Sequence, residues 1–171
     1  MIQLDVINRM LAHHLVALPP AHASGVVDWV TGAAVMFRLK ALRDVGFFDP
    51  GFFLYYEEVD LMRRLQAAGW RIRHVHEAQV IHEEGAATGQ FAAQAGRQRD
   101  PAYLYQSWAH YFCRALGRPR ALCLALLLWP AAALNILHRR LRGRPPRIPL
   151  KFFRDHWRFV LRPLLSGQSG K

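Results

Sequence analysis

Two adjacent carboxylates, Glu57 and Glu58, lie within the stretch GFFDPGFFLYYEEVDLMRR (residues 46–64), with aromatic residues on their N-terminal side and His82 further along. A carboxylate within hydrogen-bond reach of a bound hydroxyl can take its proton as the oxygen attacks an electrophile. Phe52, Phe53, Tyr55 and Tyr56 supply rings for a dry, stacking wall of the kind that binds sugars. The plainer alternative is helix capping. Acids at a helix start gain ~0.3–1 kcal/mol from the macrodipole and the exposed backbone N–H groups. Residue types alone leave both readings open.

His82 follows the apolar Val80-Ile81 and precedes Glu83-Glu84, which places it at a strand end. One imidazole does not hold a metal alone, and His74 and His76 sit close to Arg71 and Arg73, so no compact ligand cluster accompanies it. A satisfied surface histidine is the competing reading. Gly32-Ala33-Ala34 interrupts an apolar run over 26–38 that reads as a largely buried strand. Glycine weakens a strand interior, so it points to close approach by a ligand or another backbone, or to tight packing.

The elements that must position these groups follow from periodicity and punctuation. Residues 39–45 predict a short helix stopped by Gly46, followed by an Asp49-Pro50-Gly51 turn between aromatic pairs. Residues 57–68 place Val59, Leu61, Met62, Leu65 and Ala68 at helical spacing, with Gly69 as the stop. Asp60 and Arg64 stand one turn apart on that helix and can pair. Residues 70–82 read as extended, 83–99 as a Gly, Ala and Gln rich loop, and 101–116 as a helix carrying Tyr105, Trp108 and Phe112. At the N-terminus, residues 2–18 read as an amphipathic helix ended by Pro19-Pro20, without the pattern of a signal peptide.

Residues 121–137, ALCLALLLWPAAALNIL, form the most apolar segment, at the lower end of the ~17–25 residues a spanning helix needs. Arginines flank it on both sides, which suits a helix lying in the headgroup region, one crossing the bilayer, or one buried in protein. The tail over 142–171 interleaves Arg and Lys with Phe and Trp, and reads either as a surface lying on anionic lipid or as a solvated basic face. The whole chain of 171 residues has a formal net charge of +11. The first hundred residues are close to balanced, so the excess is a basic tail on an ordinary domain, and it favours anionic partners. Cys113 and Cys123 lack metal-type spacing and read as two thiols in a reducing cytoplasm.

Taken in order, WVTGAAVMFR, VGFFDPGFFLYYEEVDLMRRLQAAGWRIRHV and VIHEEGAATG resemble the second half of family 2 glycosyltransferases, in particular the rhamnosyltransferase and galactofuranosyltransferase-like branch. The resemblance spans about residues 28–88, with a weaker echo, YLYQSWAHYFCRALG, over 103–117. It implies an α/β fold: a partial GT-A-type (nucleotide-diphospho-sugar transferase) sheet with flanking helices, followed by a mainly helical C-terminal region. It places Glu58 at the position of the general base, Glu57 at the acidic residue before it, and His82 at a histidine that helps hold a divalent metal, Mg or Mn, on the leaving diphosphate. Trp29, Gly32 and Ala33 fall on the strand beneath the donor sugar, and Phe53, Tyr55 and Tyr56 beside the substrate. Asp49, Asp60 and Arg64 fall at positions read as structural. Three departures stand out. Glu58 is one methylene longer than the usual Asp, Pro50 stands where Glu is usual, and Thr88 replaces Ser.

The resemblance also implies partners and a place. These are a nucleotide sugar and a glycan or lipid-linked acceptor, with no nucleic acid, at the cytoplasmic face of a membrane in cell-envelope polysaccharide synthesis. The chain then divides into an N-terminal helix and linker (1–25), an acceptor-side half domain (26–100) and a basic, membrane-associating helical region (101–171). No Asp-x-Asp motif precedes the 26–38 strand. The expectation is therefore a C-terminal half of an inverting transferase, truncated and weakly active alone, with an incomplete metal site. The competing expectation is a non-catalytic basic protein that binds a membrane surface or nucleic acid.

Overall fold

The computed structural model describes residues 23–82 and 99–167. The proposed N-terminal helix, most of the 83–99 loop and Thr88 lie outside them.

The first core forms around short elements. Strand β1, Gly25–Val27, pairs antiparallel with β2, Ile72–His74, in the register Val26 opposite Arg73. Helix α1, Leu39–Val45, ends where Gly46 turns left-handed at φ 79° and its N–H reaches Leu42 O. Helix α2, Glu57–Ala67, presents Leu61, Met62 and Leu65 at the spacing that lines one face, and all three are buried with Ala41 and Ile72. Gly69, at φ 85°, closes α2 and lets Trp70 N–H bond back to Leu65 O.

The long strand expected over 26–38 is not formed. Pairing stops at Val27, and residues 31–36 run as an exposed turn that leaves Met36 almost fully in solvent. The reason is local. Gly32-Ala33-Ala34 has no branched bulk to hold a pleat, and Val30 N–H is taken by Met62 Sδ rather than by a neighbouring strand. Among the described residues the sheet is this two-stranded ribbon.

The second core is helical. Helix α3, Ala102–Leu116, breaks at Gly117 and α4, Arg118–Leu141, folds back along it, starting with Pro119 in its first turn. The apolar run 121–137 is thus the middle of a 24-residue helix. The tail packs on this pair as α5, Phe152–His156, a π-helical turn, Trp157–Leu161, and α6, Arg162–Ser166. Val160, Leu161 and Leu164 bury against Tyr105, Ala109, Ala121 and Ala125. The tail thus has a core face as well as the basic face that its composition announces. Arg118 secures the arrangement by donating to the carbonyls of Leu164 and Leu165. Buried Asp155 receives Arg99 through two bonds, at 2.6 and 2.9 Å. Burial also pushes His156 down to a pKa of about 4, and its Nδ1 accepts from Trp129 Nε1 at 3.0 Å.

Candidate active site

The loop between α1 and α2 carries the carboxylates, and α3 holds it from beyond. Asp49 caps its own turn by accepting from Gly51 N–H at 2.8 Å through Oδ1. Its Oδ2 lies 2.9 Å from His110 Nε2 and 3.2 Å from Arg114. Burial raises the Asp49 pKa, but the Gly51 N–H, His110 and Arg114 outweigh it and the net shift is downward. An ionised carboxylate only accepts, so His110 Nε2 carries the proton in this bond. Phe52 then buries its ring edge-on against His110, at 4.6 Å between centroids. Further along, Ser107 Oγ donates to Leu54 O at 2.8 Å.

Gly51 is the tight point of this clamp. A Cβ there would stand 2.7 Å from His110 Nε2. Gly51→Ala is therefore expected to push His110 off Asp49 and cost about 1–3 kcal/mol, as overpacking does. Urea unfolding measures it, and an unchanged midpoint would show that the loop is not held this way.

The chain reaches α2 through two strained residues. Tyr55 and Tyr56 both adopt left-handed backbone, at φ 67° and 69°. For residues with a Cβ this costs roughly 1–2 kcal/mol each. Stacking offsets it: Tyr56 lies on Tyr111 at 5.4 Å with Phe112 at its edge, while Tyr55 and Phe53 face Tyr103. Tyr56 is thus an inner support, and Phe53, 80% exposed, with Tyr55 and Tyr103 forms an open aromatic surface.

Glu57 and Glu58 occupy the first turn of α2. Each is half-buried and has one carboxylate oxygen, Oε2, buried without a hydrogen-bond partner among the described residues. Burial raises the Glu58 pKa and the Glu57 charge raises it further, against the pull of the Glu58 and Val59 N–H groups. The exposed turn at Gly32 lies on Glu58: a Cβ there would stand 3.5 Å from Glu58 Cβ. The close approach at this glycine is thus to the acid itself.

The guanidinium groups nearby go to Asp60 instead. It is fully buried and accepts from Arg64 Nε at 2.7 Å and Arg63 at 3.1 Å, with Arg114 at 3.7 Å. Arg64 also donates to Val45 O and Phe47 O, tying α2 to the end of α1. The geometry follows from spacing, since Arg63 and Arg64 lie three and four residues after Asp60 on one helix. Among the described residues, Glu58 is left without a cation.

The structure brings Gly32, Glu57, Glu58, Tyr55 and Tyr56 together, with Asp49, Asp60 and Arg64 beneath them. Trp29 packs against the Leu61 and Met62 core, and Ala33 lies in the exposed turn. His82 is exposed at the last described position before residue 83. Among the described residues no group of three His, Cys, Asp or Glu side chains is placed to hold a metal. They do not by themselves fit a Mg or Mn site. Sequence reasoning passed over Tyr103, Ser107, His110, Tyr111 and Arg114. Their intervals of four, three, one and three put them on one face of α3, which is the signal that could have found them.

A family model described as glycosyl transferase family group 2 matches residues 8–142. The chain belongs to that family. The N-acetylglucosaminyl-diphospho-decaprenol L-rhamnosyltransferase of Mycobacterium tuberculosis (strain ATCC 25618 / H37Rv) is 40% identical over 76 residues, covering 44% of this chain and 22% of that protein. Rhamnosyltransferase WbbL of Escherichia coli (strain K12) is 33% identical over 79 residues, covering 45% of this chain and 30% of the relative. The matched stretch is thus under a third of either relative's length. No solved structure matches.

Proposed function

We propose that this member of glycosyl transferase family group 2 supplies the acceptor side of an inverting sugar transfer, with Glu58 as the general base. The observation that carries the reading is the Glu58 oxygen in the first turn of α2, buried without a partner among the described residues and three residues beyond Tyr55 of the exposed aromatic surface. Glu58 takes the proton of the acceptor hydroxyl while that oxygen bonds to the anomeric carbon. The bond from that carbon to the donor phosphate breaks, and the nucleoside diphosphate leaves. A raised pKa makes Glu58 a stronger base once ionised, and Glu57 helps keep it so. Asp49, Asp60 and Arg64 act by holding the loop. In this reading residues 26–100 are the acceptor-side half of a GT-A-type domain, and residues 101–171 attach it to the membrane.

The family reading adds a divalent metal on the diphosphate, with His82 as one ligand. The described residues offer it no companions, so no step here runs through a metal. The relatives' names favour rhamnose as the sugar and an N-acetylglucosaminyl-diphospho-prenol as the acceptor. The test is the anomeric configuration of the product made from a nucleotide-activated rhamnose. Inversion is expected, and a retained configuration excludes single displacement by an acceptor activated at Glu58.

The aromatic surface gives a second expectation. Tyr103→Ala removes a ring that faces both Phe53 and Tyr55. The acceptor KM should rise about 2–10-fold with kcat little changed, the value of one ring contact at ~0.5–1.5 kcal/mol. Steady-state kinetics with varied acceptor decides it, and an unchanged KM removes the surface from binding.

The membrane part of the proposal rests on α4. Its inward face is small (Ala121, Ala125 and Ala132 are buried), while Leu127, Leu134 and Leu137 are more than half exposed on the other side. Small residues inward and leucines outward is the pattern of a helix whose outer solvent is lipid. One face packs on α3 and the tail, which supports a helix lying in the interface rather than crossing alone; the family reading puts that interface at the cytoplasmic face. The exposed leucines also set the non-catalytic alternative: they favour a membrane surface over nucleic acid. Leu127→Gln with Leu134→Gln should weaken binding to vesicles by roughly 10²-fold, read by co-sedimentation at high salt. Equal binding would place the attachment elsewhere.

A further inference from the structure

The cations of the C-terminal region are not spread evenly. Between residues 139 and 162 there are nine Arg and Lys against one acid, Asp155. Asp155 is buried and bonded to Arg99 as well as to Arg154, so its charge is already answered. An open cleft of about 250 Å³ lies between the end of α4 and the start of α5, with Arg140, Lys151 and Arg154 at its rim. Ile136, Phe152 and Phe153, among others, give it an apolar wall beside those cations. Arg140 and Lys151 have no carboxylate partner among the described residues. Three cations over a hydrocarbon wall fit a ligand with a phosphate at one end and a chain at the other.

The position of the cleft says where that chain goes. Leu137 comes one residue after Ile136 and three before Arg140 on α4, so the exposed leucine face begins where the cleft ends. At ~30 Å³ per water-sized group the cleft has room for about eight, enough for a phosphate and the first carbons of its chain but not a whole lipid. The remainder would continue along Leu137 and Leu134. A soluble phosphate would leave the apolar wall and the leucine face without a role.

We propose that this cleft is a headgroup site for an anionic lipid, with the phosphate held by Arg140 and Lys151 and the hydrocarbon chain running along the outer face of α4. It deepens the membrane part of the proposed function and is independent of the sugar-transfer part. Loss of the site would leave the attachment of α4 to vesicles in place, with the charge selection gone.

A short-chain phosphatidylglycerol below its micelle concentration tests the site without a membrane surface. Titrated into the full chain and followed by NMR or calorimetry, it should bind saturably at one site. Arg140→Gln with Lys151→Gln should weaken binding roughly thirtyfold, taking each cation at its usual value against anionic lipid. Arg120→Gln with Arg158→Gln removes the same charge elsewhere and should change it less than about twofold. Short-chain phosphatidylcholine should bind weakly. The site is refuted if both pairs lose affinity equally, if no saturable binding occurs, or if inorganic phosphate binds as tightly as the lipid. That last result would mark a bare anion site. All four residues are exposed, so matched thermal unfolding of both variants checks that only binding has changed.

Discussion

Glutamine in place of Glu58 is expected to lower the rate of sugar transfer by about 10²–10⁴-fold, the usual contribution of a positioned general base. The amide keeps the size of the side chain and its contact with the Gly32 turn, but cannot take a proton. The same substitution should show an opposite sign in stability. Burial, then Glu57, raises the Glu58 pKa in the folded protein. A raised carboxyl binds its proton more tightly folded than unfolded, so its favourable contribution is full below the ordinary value near 4.5. That contribution is lost as pH rises through the folded value. Glu58→Gln should therefore be more stable than the wild type at neutral pH, by a margin that shrinks on acidification. Thermal unfolding at several pH values reads this. A variant that loses both activity and stability at pH 7 would mark Glu58 as structural.

The largest stability effect is expected at Asp60. It is fully buried, bonds to Arg63 and Arg64, and lies 3.7 Å from Arg114. Asp60→Ala leaves the Arg64 side chain, only 16% exposed, facing the vacated site. Breaking a buried pair from one side typically costs about 3–5 kcal/mol. Arg64 keeps its bonds to the Val45 and Phe47 carbonyls, which places the expectation at the lower end of that range. Activity should fall with folded population rather than through kcat. Urea unfolding measures the first and active-site-normalised turnover the second. A loss below about 1 kcal/mol, far under the usual cost of a broken buried pair, would mean that the arginines are satisfied without this acid.

The two short helices were legible because each carries its own punctuation. Apolar residues at helical spacing run into Gly46 and Gly69, and both glycines are left-handed where the helices stop. The acids at 57 and 58 were legible by type and place, and so was the pairing of Asp60 with Arg64. The strand over 26–38 was overread, because apolar composition does not supply a partner. Pairing there is set by how far β2 runs, and that is three residues. The tail misled in the opposite direction. Its arginines dominate the composition, while Val160, Leu161 and Leu164, which decide its packing, are few. The support of the site by α3 was hidden for a third reason. His110, Ser107 and Tyr111 act on residues more than fifty positions earlier, and only the fold brings the two segments together.

The central claim is that Glu58 is the base, and the dependence of kcat/KM on pH tests it most directly. The profile should rise with pH through one ionisation above 4.5, the ordinary value for this carboxyl. The residual rate of Glu58→Gln should lack that rise. A variant that keeps the ionisation at a near-normal rate would contradict the account and assign the proton to another group.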